Sequence, residues 1–69
     1  MKAIKDCNLV VMIIPYSIDR VENYRWFIPH DYNTGLSEMR SNYFTTSRKA
    51  KNNFIKFAKL NGIKNYKFI

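Results

Sequence analysis

Residues 8–16, NLVVMIIPY, run apolar and β-branched almost without a break and reach a proline at position 15. The run is too short for a typical helix, so it predicts a first strand ending near Pro15. Leu9, Val11 and Ile13 would share one face, and Val10, Met12 and Ile14 the other. A strand apolar on both faces is usually covered on both. The polar stretch SIDRVEN at 17–23 predicts a hairpin-type connection. YRWFIP at 24–29 predicts a second strand stopped by Pro29, with Tyr24, Trp26 and Ile28 on one face and Arg25 and Phe27 on the other. In HDYNTG, at 30–35, Asn33-Thr34-Gly35 is a turn signal in which Gly35 supplies a positive φ. LSEMRSNYF at 36–44 predicts a third strand. Ser37, Glu38 and Ser41 are weak strand formers there, so a short irregular piece before the strand also fits.

The period then changes from two to 3.6. From Ser47 onward, Ala50, Phe54, Phe57, Ala58 and Leu60 fall on one arc of a helical wheel, a core-facing stripe. Thr46 or Ser47 can cap the helix, because a hydroxyl there accepts from an unpaired amide of the first turn. Gly62 sits where a left-handed terminator belongs. The last residues, IKNYKFI at 63–69, alternate well enough for a fourth short strand, and equally fit a tail lying along the helix. These elements predict an α+β domain: a three-stranded antiparallel sheet, extended or not by a fourth C-terminal strand, packed on one helix.

At 69 residues the chain makes one small domain. Folding at this size buries only ~60% of the surface that the unfolded chain exposes, which leaves little room for an enclosed active site. The chain is 46% hydrophobic, with five Phe, five Tyr and one Trp, and that is enough apolar surface to fold. The single cysteine, Cys7, excludes an internal disulfide and reads as a buried thiol, and the expected compartment is a reducing cytoplasm. The run NLVVMII lacks the cleavage site of a signal peptide and is far too short to span a bilayer.

Charge changes the picture most. Residues 1–38 hold four cations and all five anions, whereas residues 39–69 hold eight cations and no anion. A one-sided charge of this kind is the footprint of a polyanionic partner. On the wheel, Arg48, Lys49, Asn52, Lys56 and Lys59 lie opposite the apolar stripe. No acidic residue stands four positions away to neutralise them, and the two cations of the first turn oppose the helix dipole. These residues are the expected contacts to phosphate, with Asn53 and the hydroxyls at 45–47 as further donors and Arg25 and Arg40 assisting from the strands. Tyr16, Tyr24, Trp26, Tyr32 and Tyr43 are available for stacking on unpaired bases, although Trp26 and Phe27 fit the core better.

Catalytic signatures are missing. His30 and Asp31 are neighbours in a polar turn, where such residues are usually just exposed. No nucleophile elbow, metal-ligand spacing or glycine-rich phosphate loop occurs. The expectation is a protein that is not an enzyme and carries no cofactor and no metal. A membrane-surface role ranks last, since the helix stripe lacks a strong Trp/Leu wedge.

The segment YRWFIPHDYNTGLSEMRSNYFTTSRKAKNNF resembles the arm-type DNA-binding domain found at the N-terminus of many phage-type tyrosine-recombinase integrases. Trp26, the Thr34-Gly35 turn, Phe44, Thr46 and Ala50 match that pattern in order and spacing. The resemblance implies a three-stranded antiparallel sheet on one helix, with the open sheet face in a DNA major groove, Thr46 as the cap, and Phe44 and Ala50 as packing positions. Two positions depart from the pattern: Tyr43 stands where the family often has glycine, and cations replace an acid in the first helical turn. No recombinase chemistry is implied, because the catalytic domain of that family is absent.

The leading expectation is a non-enzymatic, basic, nucleic-acid-binding accessory protein, with DNA favoured over RNA. The Asn-, Lys-, Ile- and Tyr-rich composition suggests AT-rich coding and a bacteriophage or mobile-element source. The alternative is a phage-type inhibitor that binds an acidic host protein surface or a nucleoprotein complex. Val10, Met12 and Ile14 motivate that alternative, because one helix covers one sheet face and leaves the other for a protein partner or a second copy in a homodimer.

Overall fold

A computed structural model describes residues 3–69. A single 3-10 turn, Ile4–Asp6, leads into β1 (Leu9–Ile18), followed by β2 (Val21–Ile28), β3 (Met39–Arg40), α1 (Ser47–Leu60) and β4 (Tyr66–Phe68). The strands form one four-stranded mixed sheet in the order β3-β2-β1-β4. β1, β2 and β3 are antiparallel neighbours, and β4 joins the free side of β1 in parallel. The fold is α+β, and the C-terminal segment is a strand rather than a tail.

β1 is longer than its sequence suggests: it passes through Pro15 and ends at Ile18. Pro15 has no N–H to donate, so it is tolerated only where that position faces away from a partner. Tyr24, the residue opposite Pro15, exchanges both of its backbone hydrogen bonds with Phe44 on the other side, at 2.7 Å each. Pro15 therefore belongs to a non-hydrogen-bonded pair, and its nitrogen faces the edge beyond the reach of β4, which pairs only with Leu9 to Val11. The hairpin loop shrinks to Asp19 and Arg20, both at positive φ (50° and 66°), the two-residue turn whose twist matches that of the flanking strands.

The third strand is where the pattern departs most from expectation. Only Met39 and Arg40 form a regular ladder with β2, and Phe44 rejoins it as an isolated bridge to Tyr24. Phe27 pairs with Arg40 and Tyr24 with Phe44, so three steps along β2 face four along its neighbour. One extra residue, a β-bulge, lies between them. Ser41 stabilises it: its Oγ accepts from the Trp26 amide at 3.0 Å and donates to the Asn42 carbonyl at 2.8 Å. A side chain thus stands in for a ladder carbonyl, which explains why a weak strand former occupies this position. Upstream, Gly35 has φ 76° and closes the 31–36 turn through its amide to the Asp31 carbonyl.

The core lies between the sheet and α1. Leu9, Val11, Trp26, Ile28, Phe54, Ala58, Ile63 and Cys7 are buried together. Phe54 is the hub, with Trp26, Tyr66, Phe68 and Phe57 rings 5.0–5.9 Å away. Thr46 is the cap, accepting from the Lys49 amide at 3.1 Å. The helix ends as its glycine implies. Gly62 has φ 68°, its amide reaches the Lys59 carbonyl at 3.4 Å, and the Ile63 amide reaches that of Ala58 at 2.9 Å. Leu60, in contrast, is 86% exposed rather than part of the stripe. It lies about 120° around the wheel from Phe54, beyond the arc that the sheet covers.

Candidate nucleic-acid interface

Arg48, Asn52, Lys56 and Lys59 recur at spacings of four, four and three residues along the solvent side of α1, and all are exposed. They form a stripe about 16 Å long, roughly the rise of five nucleotides along one strand of a duplex. Lys49 stands beside it. Lys49, Asn52, Asn53 and Lys56, with Phe44 as the opposite wall, line a shallow hollow of about 280 Å³ between the helix and the chain leaving the bulge. Lys49 is held toward that side by a hydrogen bond from Nζ to Thr45 Oγ1 at 3.1 Å. The other edge of the helix carries Lys51, whose Nζ lies 5.6 Å from the centre of the Phe68 ring.

Among the described residues one ion pair forms, Arg40 with Glu38 at 3.1 Å. Among the described residues no carboxylate meets the cations of α1, and the first helical turn contains no acid. The positive end of the helix dipole and the charges of Arg48 and Lys49 therefore add at one place, where an anion would be favoured.

Asn53 has a different role from its neighbour. Its Oδ1 accepts from the Trp26 indole N–H at 2.9 Å, and Trp26 is 5% exposed. The pair ties helix to sheet, so Asn53 and Trp26 are structural. Asn52 faces solvent.

Arg25 and Arg40 lie elsewhere. Trp26 and Ile28 point to the helix, so Arg25 and Phe27 point away from it. Arg40, paired with Phe27, shares that outer face. Val10, Met12 and Ile14 of β1 also share it, half-buried, and Lys67 of β4 joins them opposite Val10. The expected contact residues are thus divided between two sides of a two-layer molecule whose shortest extent is 17 Å. Arg48, Lys49, Asn52, Lys56 and Lys59 come together on one side, and Arg25 and Arg40 on the other.

The outer face also contains a cluster that alternation alone would not reveal. Tyr16 of β1 and Tyr43, which lie two strands apart, stack across β2 with ring centres 5.4 Å apart. The Arg25 guanidinium lies 4.9 Å from the Tyr43 ring. The bulge brings Tyr43 here, since without the extra residue it would pair with Tyr24 and face the helix. Tyr24 does face the helix side, half-buried, and Tyr32 is 90% exposed on the loop.

His30 and Asp31 form no hydrogen bond or ion pair with each other. His30 packs against Tyr32 with ring centres 4.3 Å apart, and Asp31 Oδ1 accepts from the Asn33 amide at 2.9 Å. That amide holds the Asp31 carboxyl below the usual carboxylate range. Among the described residues no three His, Cys, Asp or Glu side chains cluster as metal ligands would. No described helix is long and apolar enough to cross a membrane. No protein-family model, curated protein or solved structure matches the chain.

Proposed function

We propose that the protein is a non-enzymatic nucleic-acid-binding accessory factor that grips the phosphate backbone with the exposed side of α1. The observation that carries this reading is the unpaired band Arg48, Lys49, Lys56 and Lys59, with no acidic neighbour among the described residues. Folding does not require it, and the cations of the first turn cost helix stability. Asn52 adds a neutral donor in the middle of the stripe, a residue type common at phosphate contacts. The resemblance to arm-type domains favours DNA over RNA and a phage or mobile-element setting.

Binding should be measured with a labelled short duplex and a labelled single strand at low salt. Replacing Arg48, Lys49, Lys56 and Lys59 together by Gln should weaken the duplex complex. If neither nucleic acid binds the unmodified protein at low salt, this function is wrong.

One observation favours a second reading, an inhibitor docked on an acidic host protein or nucleoprotein complex. Val10, Met12, Ile14 and Phe27 form an apolar strip that no described layer covers. Capture of the same host protein before and after nuclease treatment, with no affinity for nucleic acid, is the outcome that reading requires.

A further inference from the structure

We propose that the outer sheet face is a second nucleic-acid surface, chemically unlike the helix band, that takes an unpaired strand by stacking a base on the exposed side of the Tyr16–Tyr43 ring pair. The proposal rests on the nucleic-acid reading given above and assigns that reading a second site with its own ligand form.

Three properties of this face point to its occupant. Its charge is one: Arg25 and Lys67 stand on it with no acidic partner among the described residues, and Arg40 beside them is paired to Glu38. A second copy of the same face would bring cations against cations, so self-docking is disfavoured and a polyanion is favoured. Its shape is another. A strip of half-buried Met12, Ile14 and Phe27 runs beside two exposed tyrosines, 54% and 39% accessible. Single-stranded nucleic acid is bound by this combination of exposed rings and flanking cations, because every unpaired base has a π-face to stack. A duplex keeps those faces hidden inside its own stack.

The third property is construction. Tyr43 reaches this face only through the bulge at Ser41–Tyr43, and Arg25 and Tyr16 then hold its ring. Bulges recur where a side chain is re-aimed for function. The helix band lies on the other side of the two-layer molecule from this sheet face, so the two surfaces can be occupied independently.

The test uses the full chain, a short oligo(dT) and a short duplex. Tyr16→Ala with Tyr43→Ala should weaken oligo(dT) binding by roughly ten-fold or more, and leave duplex binding unchanged. Tyr16→Phe with Tyr43→Phe should retain it. The four-fold Gln variant of the helix should weaken duplex binding instead. The unsubstituted protein provides a reading independent of folding in the variants. Ring proton signals of Tyr16 and Tyr43 should shift on adding oligo(dT), while the buried Trp26 indole signal stays in place. Oligo(dT) binding that is unaffected by loss of both rings overturns the proposal and leaves the helix reading intact. So does a tyrosine shift produced by an acidic peptide and not by oligo(dT), or self-association that moves the same signals without any ligand. Failure of both nucleic acids to bind overturns the helix reading as well.

Discussion

Asn53 and Asn52 are adjacent, equal in chemistry and opposite in purpose. Asn53 accepts the Trp26 indole N–H inside the seam between helix and sheet, whereas Asn52 is exposed beside Lys56. Removing the Asn53 side chain would strand a buried donor, and a stranded donor costs about 1–3 kcal/mol. Asn53→Ala should lower unfolding stability by that amount in urea melts followed by Trp26 fluorescence. Asn52→Ala should leave stability within about 0.5 kcal/mol, as exposed substitutions generally do. Sequence placed both as phosphate donors, and helical periodicity could not separate them, because their directions differ by only about 100° on the wheel. The difference comes from the position of one indole nitrogen, which only packing fixes. Tyr43 illustrates the same limit. Its face depends on one inserted residue, and that insertion is stabilised by a serine hydroxyl taking the place of a carbonyl.

The strands and helix were legible where their apolar periods were unbroken. Leu9, Val11, Trp26, Ile28, Ala50, Phe54 and Ala58 are buried, as their spacing implies. Strand ends were harder to read. Pro15 looked like a stop, yet an edge position lets β1 continue to a turn of Asp19 and Arg20. Arg20 is strained there at φ 66°, where a residue with a Cβ costs roughly 1–2 kcal/mol. Arg20→Gly should raise stability by about 0.5–1 kcal/mol after the greater freedom of glycine in the unfolded chain is subtracted. A shift in the urea midpoint with unchanged slope would show it. The start of α1 gives an opposite pair of effects. Thr46 is the cap, and Lys49 is three residues later, where a capping box has Glu or Gln. Lys49→Glu should stabilise the fold by about 0.3–1 kcal/mol through the helix dipole, yet weaken duplex binding. Parallel thermal melts and binding curves would check the two signs. A protein selected for stability alone would already carry the acid.

Across the whole molecule, charge and shape divide the surface in two. Sequence showed the one-sided charge of residues 39–69 but not its partition: alternation separated Arg25 from Trp26, yet only the pairing of Arg40 with Phe27 puts Arg40 on the same outer face as Arg25. On one side a helix stripe of cations has no acidic partner. On the other, cations surround an apolar and aromatic strip. The central claim concerns the first of these, that the unpaired cations of α1 meet phosphates. Counterion release makes that claim measurable, since for a duplex the logarithm of the binding constant falls with the logarithm of salt concentration by about 0.9 per phosphate neutralised. The decisive measurement is this slope for the unsubstituted protein and for the variant with Gln at 48, 49, 56 and 59. The expected result is a steep slope that becomes shallower by about 3–4 in the variant, one contact for each charge removed. Equal slopes for the two proteins, or no binding to begin with, would contradict it.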